Sequence, residues 1–187
     1  MTRSASISQP IAVVMGVAGS GKTTIGHLLA ERLGVVYAEA DSFHPPANVA
    51  KMMAGQALDD DDRRPWLAAI AAWIRDQVNT DKGGVVSCSA LRFQYRDRLR
   101  EAYPDAWFLH LDIDRALAVE RVASRHGHFM PASLVDSQLQ TLEPLLPDER
   151  GTVVDASAAP EEITRTALRR FNEYRAAGHP EEPPAAP

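Results

Sequence analysis

The sequence predicts an α/β fold built on a five-stranded parallel sheet with helices on both faces. Two observations carry that prediction. Five short apolar runs, at 11–15, 35–40, 84–89, 107–112 and 152–155, alternate with amphipathic helical segments. The runs are continuously apolar and do not alternate, as strands covered on both faces should be. Alternation of strand and helix implies right-handed crossovers in one sheet.

The first run, 11–15, leads into a glycine-rich turn and then a helix. In that helix Ile25, Leu28, Leu29 and Leu33 share a face, and Gly34 ends it. A second helix is expected from Pro65, where Trp66, Ile70, Trp73 and Ile74 repeat the pattern. Helices are also expected at 91–102, 114–125 and 160–174. The chain has 187 residues, the size of one domain, and 45% of them are hydrophobic, enough for a sizeable core. One domain is expected over 10–176, with a flexible N-terminus at 1–9, a lid at about 121–140 and a disordered Pro-rich tail at 177–187.

Composition narrows the function classes. The net charge of −5 leaves no basic excess to meet a nucleic-acid backbone. No apolar run is long enough to span a membrane, and the first ten residues lack a signal-peptide core. One cysteine, Cys88, allows no internal disulfide and suits a reducing cytoplasm; in an apolar strand it is expected as a core thiol.

Residues 16–23 carry the chemistry most plainly. Gly16-Val17-Ala18-Gly19-Ser20-Gly21-Lys22-Thr23 matches the phosphate-loop pattern in full, and Thr24 follows it into the helix. Its glycines let backbone N–H groups turn toward phosphate oxygens, and the helix N-terminus adds a positive dipole end. Lys22 is expected at the β- and γ-phosphates of ATP and the Thr23 hydroxyl at Mg²⁺. No Asn-Lys-x-Asp segment is present to read guanine, and the chain is short for a motor ATPase, so a small-molecule kinase is favoured.

The acceptor side is read from strand ends, where ligands of open α/β sheets gather. Asp41 follows the second strand, where a carboxylate can take a hydroxyl proton or support Mg²⁺; an Asx-turn cap would use the same residue type. His44 is a candidate donor or a solvated turn residue. Asp59–Asp62 suit a helix N-terminus, which leaves Arg63 and Arg64 to clamp an anion. Ser89 stands at the end of the third strand. Arg92 and Arg96 follow it, one helical turn apart, either pointing into the cleft or solvating a helix. Arg121, Arg125, His126, Gly127 and His128 read as a mobile cationic lid or as a basic helix C-terminus.

Taken together, MGVAGSGKT at 15–23, DSFHP at 41–45, NVAKM at 48–52, GQALDDDDRRPWL at 55–67, CSAL…YRD at 88–97, GHF at 127–129 and SQLQTLEP at 137–144 resemble the gluconokinase family. The wider resemblance is to shikimate and adenylate kinases. It implies a three-layer P-loop kinase fold with a lid, and ATP- and Mg²⁺-dependent phosphorylation of the 6-hydroxyl of D-gluconate. It also implies that Asp41 orients or deprotonates that hydroxyl, and that His44, Arg63, Ser89, Arg96, His128 and Gln138 line the substrate pocket. Arg121 and Arg125 become lid-base arginines near adenine, and a homodimer is the implied assembly. Phosphorylation of shikimate, or nucleotide binding without transfer, are the alternatives.

Overall fold

The computed structural model describes residues 10–54, 56–124 and 132–177. Five parallel strands form one sheet in the order β2-β3-β1-β4-β5: β1 Ile11–Met15, β2 Val36–Glu39, β3 Gly84–Ser87, β4 Trp107–Asp112 and β5 Gly151–Asp155. Each of the five predicted strands is present, within two residues at either end. Among the described residues seven helices connect and follow them: α1 Lys22–Leu33, α2 Pro46–Met53, α3 Asp60–Asn79, α4 Phe93–Arg100, α5 Arg115–Ala123, α6 Ala132–Thr141 and α7 Pro160–Ala176. A 3-10 turn, Ala40–Phe43, joins β2 to α2. No described helix is long and apolar enough to cross a membrane.

The apolar runs explain the layering. In β1 every residue is buried, and the pleat sends alternate side chains to opposite faces. Ala12 and Val14 join Leu109, Leu111, Leu29 and Phe171 on one side. Ile11, Val13 and Met15 join Phe108, Ile70, Ile74 and Leu99 on the other. The central strand therefore belongs to two cores. The edge strands β2 and β5 keep exposed positions, including Val36 and Val153.

Two expectations about helices are corrected. The helix expected from Pro65 begins five residues earlier. Asp59 caps it: the Asp59 side chain accepts from the Asp62 amide at 2.8 Å, and the Asp62 carboxylate accepts from the Asp59 amide at 2.9 Å. That reciprocal cap, with Asp60, Asp61 and Asp62 in the first turn, supports a start at which Pro65 stands inside the helix. In addition, α2 and α6 occupy stretches where no helix is expected. Buried Asn48 docks α2 onto α3 by donating to the Asp62 carbonyl at 2.7 Å. The expected flexible N-terminus, most of the expected tail, and Arg125, His126, Gly127 and His128 of the expected lid lie outside the described residues.

Candidate active site

The phosphate loop leaves β1 at Gly16 and enters α1 at Lys22. Gly19 has φ 84°, and a Cβ there would stand 2.5 Å from the Ala118 carbonyl oxygen of α5. Glycine thus serves both the turn and the close packing of the loop on α5. Gly21, also at positive φ, precedes α1 without any side-chain cap, so the first helical amides are directed at whatever occupies the loop. Lys22 folds back over the loop and donates from Nζ to the Val17 carbonyl at 3.0 Å. Ser20 Oγ is buried without a hydrogen-bond partner, alone in this among the described residues. Such an orphan costs stability.

Beside the loop is a cavity of about 360 Å³, lined by Gly19, Thr24, Arg121, Ser124, Ala158 and Pro160 among others. Arg121 is held in its wall by donating to the Ala156 carbonyl at 2.9 Å. The cavity opens from the phosphate loop between α5 and the start of α7, as the nucleoside end of a nucleotide requires.

Two residues missed in the sequence complete this side. Glu39 ends β2, and its Oε2 accepts from Thr23 Oγ1 at 2.8 Å and from Tyr37 Oη at 2.7 Å. With its proton turned toward Glu39, the Thr23 oxygen has lone pairs left for a cation. A hydroxyl and one carboxylate fit Mg²⁺, which takes its other ligands from phosphates and water. Among the described residues no group of three His, Cys, Asp or Glu side chains could hold a metal by itself. The available signal was period 2: residues 37 and 39 share one face of β2 at the strand end. Burial pushes the Tyr37 phenol up to about 12, with Ser87 opposing and Glu39 adding to the shift, so the phenol keeps its proton.

The acceptor wall assembles from β2, α3 and α4. Asp41 is exposed in the turn after β2, at the same sheet edge as the phosphate loop. Burial pushes the thiol of Cys88, just after β3, up to about 12; a hydrogen bond with the Ala90 backbone and the Lys22 charge oppose the shift, and Asp41 and Glu39 add to it. Next to Asp41, His44 stacks on Trp66 with ring centroids 4.7 Å apart. Trp66 in turn donates to the Ala40 carbonyl at 2.7 Å, which fixes the turn that carries Asp41. Burial holds His44 below its ordinary range, Asp41 opposes this and Arg63 assists it, which favours the neutral imidazole.

Arg63 lies within 5.8 Å of the Tyr95 ring centroid and 3.7 Å from Asp60. Arg92 donates to the same Asp60 carboxylate at 3.1 Å. Asp60 thus gathers Arg63, Arg92 and Tyr95 at the junction of α3 and α4. Arg64 points away and pairs with Asp61 in solvent. Ser89 is half-buried, and its carbonyl accepts from the Gly16 amide at 3.4 Å, tying the end of β3 to the phosphate loop.

Arg96 is placed differently from expectation. It is fully buried. Nε and Nη2 each donate to Glu149 at 2.7 Å, and the guanidinium also donates to the carbonyls of Ala90, Leu91, Glu143 and Pro144. The reading of Arg96 as a pocket-lining residue is therefore corrected: its donors are engaged inside the protein. Gln138, expected at the substrate, reaches the phosphate loop instead, where its Oε1 accepts from the Ala18 amide at 2.6 Å.

A phosphate loop, a cavity beside it and a cationic wall at the same end of the sheet define a P-loop kinase acting on a small molecule. Comparison with known proteins narrows this class. The family model described as shikimate kinase matches residues 18–171. A gluconokinase of Gluconobacter oxydans (strain 621H) is 46% identical over 159 residues, covering 85% of this chain and 89% of the relative. The crystal structure of a gluconokinase from Sinorhizobium meliloti 1021 superposes with a TM-score of 0.81 at 41% identity, covering 92% of this chain and 99% of that one. An unliganded sugar kinase from Janibacter sp. HTCC2649 gives 0.83 at 46% identity, covering 91% and 99%. The chain belongs to the gluconokinase family, within the wider family that the shikimate kinase model describes.

Proposed function

We propose that this protein transfers the γ-phosphoryl group of ATP to the 6-hydroxyl of D-gluconate, giving 6-phosphogluconate and ADP in the cytoplasm. The observation that carries the reading is a complete phosphate loop at the same end of the sheet as a wall that combines the exposed carboxylate of Asp41 with the cations Arg63 and Arg92, both held by Asp60. Gluconate offers a carboxylate for the cations and hydroxyls for His44 and Asp41. The relatives named gluconokinase supply the substrate class.

Phosphoryl transfer is mostly positioning and charge stabilisation. The loop amides and Lys22 bind the phosphates, and Lys22 meets the negative charge that develops on the transferring group. Thr23 and Glu39 are the residues that would hold Mg²⁺, which when bound neutralises phosphate charge. Asp41 orients the acceptor hydroxyl and takes its proton as the new P–O bond forms and the bond to ADP breaks. Arg63, half-buried and 3.7 Å from Asp60, has guanidinium donors left to offer the gluconate carboxylate, a charged contact that a neutral sugar does not supply.

A coupled ADP-release assay with gluconate, glucose, shikimate and nucleoside monophosphates tests the proposal. Turnover with gluconate should exceed the others. Equal kcat/KM for glucose and gluconate, or a preference for shikimate, overturns it.

A further inference from the structure

Glu39 is held by a hydrogen-bonded chain that continues past the two hydroxyls on its carboxylate. Tyr37 Oη lies 2.7 Å from Glu39 Oε2 and 2.9 Å from Ser87 Oγ, and Ser87 Oγ lies 2.9 Å from the carbonyl oxygen of Lys22. The chain has two hydroxyl protons, one on Tyr37 and one on Ser87, and at its ends a carboxylate and a carbonyl that only accept. The Tyr37 proton goes to the carboxylate, since a hydrogen bond to a charged acceptor is the stronger one. The Ser87 proton is left for Tyr37 Oη or the Lys22 carbonyl. Two protons cannot serve three contacts, so the Tyr37 hydroxyl is what holds the carboxylate beside Thr23, with Ser87 Oγ packed against that hydroxyl.

An independent feature shows that space is reserved for this chain. Gly26 lies inside α1, where glycine is unfavourable relative to alanine. A Cβ at Gly26 would stand 2.6 Å from Tyr37 Cε2 and 2.6 Å from Ser87 Oγ, closer than real contacts allow. His27, the next residue of α1, covers the Tyr37 ring with centroids 3.8 Å apart. The helix that follows the phosphate loop is therefore shaped at two successive residues to seat this tyrosine.

We propose that Tyr37 is a positioning residue for the divalent cation of the transfer reaction: its hydroxyl holds the Glu39 carboxylate against Thr23, and Gly26 keeps the room in which it does so. The inference rests on the reading of the site as one that binds a nucleotide with Mg²⁺. It does not depend on which acceptor is phosphorylated. A glutamate side chain has three rotatable bonds, and without the Tyr37 hydroxyl its Oε2 keeps only the Thr23 contact. Losing a partner that orients a metal-site carboxylate typically weakens the metal by roughly ten- to a hundredfold.

The test measures Mn²⁺ binding to the protein–ADP complex by electron paramagnetic resonance, for the unaltered chain, Tyr37→Phe and Gly26→Ala, with a thermal melt of each. Tyr37→Phe removes one oxygen and leaves the ring on His27. It should weaken Mn²⁺ roughly tenfold and raise the Mg²⁺ concentration for half-maximal turnover by a similar factor, with KM for the acceptor unchanged. Gly26→Ala, which displaces both Tyr37 and Ser87, should shift Mn²⁺ affinity in the same direction. A Tyr37→Phe protein that melts lower but binds Mn²⁺ within about twofold of the unaltered chain overturns the proposal, since a tyrosine that only packs would behave so. A raised acceptor KM with intact Mn²⁺ affinity overturns it too. If the unaltered protein–ADP complex takes up no Mn²⁺, the cation site and this inference both fail. If Mn²⁺ binding falls as expected but gluconate is not phosphorylated, the acceptor reading fails and the role of Tyr37 stands.

Discussion

Replacing Glu149 with glutamine tests the corrected role of Arg96. The Glu149 side chain is 1% exposed and that of Arg96 is 0% exposed. The carboxylate accepts from Arg96 Nε and Nη2, from Arg100 Nη1 and from the Leu146 amide. Glu149→Gln keeps the shape, removes the counter-charge and turns one acceptor oxygen into an NH₂ that faces guanidinium donors. Breaking a buried pair from one side costs about 3–5 kcal/mol, because the remaining charge is left uncompensated. Were Arg100, with 16% of its side chain exposed, the main partner, the cost would fall toward the ~1 kcal/mol of a surface pair. For a domain of this size, about 2–4 °C of Tm per kcal/mol gives an expected drop of roughly 6–20 °C.

Urea denaturation and a thermal melt measure the loss, and gluconate kinetics below the transition measure the site. Stability lost with KM for gluconate preserved is the expected pattern. A loss under about 1 kcal/mol, or intact stability with a sharply raised KM, refutes the buried-anchor reasoning. The acid limb gives a second check. Burial alone would raise the Glu149 pKa, but the Arg96 hydrogen bonds, the Leu146 amide and Arg100 outweigh it and hold the carboxyl below its ordinary 4.5. A carboxyl with a depressed folded pKa contributes stability above its unfolded value and loses it as pH falls through the folded one. Stability should therefore fall less steeply below about pH 4.5 in Glu149→Gln than in the unaltered protein.

Three further outcomes follow from the site. Asp41→Asn should lower kcat by about 10² to 10⁴ with ATP affinity nearly unchanged; full activity would return Asp41 to a turn cap, a task asparagine performs about as well. Lys22→Ala should cost roughly 10² or more in kcat in a protein that melts normally, and near-normal turnover would contradict the phosphate-loop role. Gly19→Ala places a Cβ 2.5 Å from the Ala118 carbonyl oxygen at φ 84°, so nucleotide affinity measured by calorimetry should fall; unchanged affinity would show that the loop accommodates the methyl group.

What was legible in the sequence is what neighbours along the chain decide. The strands were visible because a β-strand buried on both faces must be apolar at successive residues, as β1 is at 11–15. The phosphate loop was visible because its backbone geometry demands glycines at fixed offsets. The start of α3 was equally local: Asp59 and Asp62 form the cap three residues apart, yet Pro65, a common first helical residue, was the more conspicuous signal. The short helices α2 and α6 carried weaker patterns, and α2 is docked through buried Asn48, a polar contact that hydrophobic periodicity does not report.

Tertiary structure alone decided the partners of the polar side chains. Arg96 reads as a cleft residue or as helix solvation until the chain brings Glu149, 53 positions away, onto its guanidinium. Gln138 faces the phosphate loop because α6 folds over a residue 120 positions earlier. Glu39 meets the Thr23 hydroxyl only when β2 sets it beside α1. The physical reason is common to all three. An apolar residue needs only to leave water, and its pattern along the chain states that need. A charged or amide side chain requires one particular partner at hydrogen-bond distance, and which partner it meets is set by the crossing of elements distant in sequence.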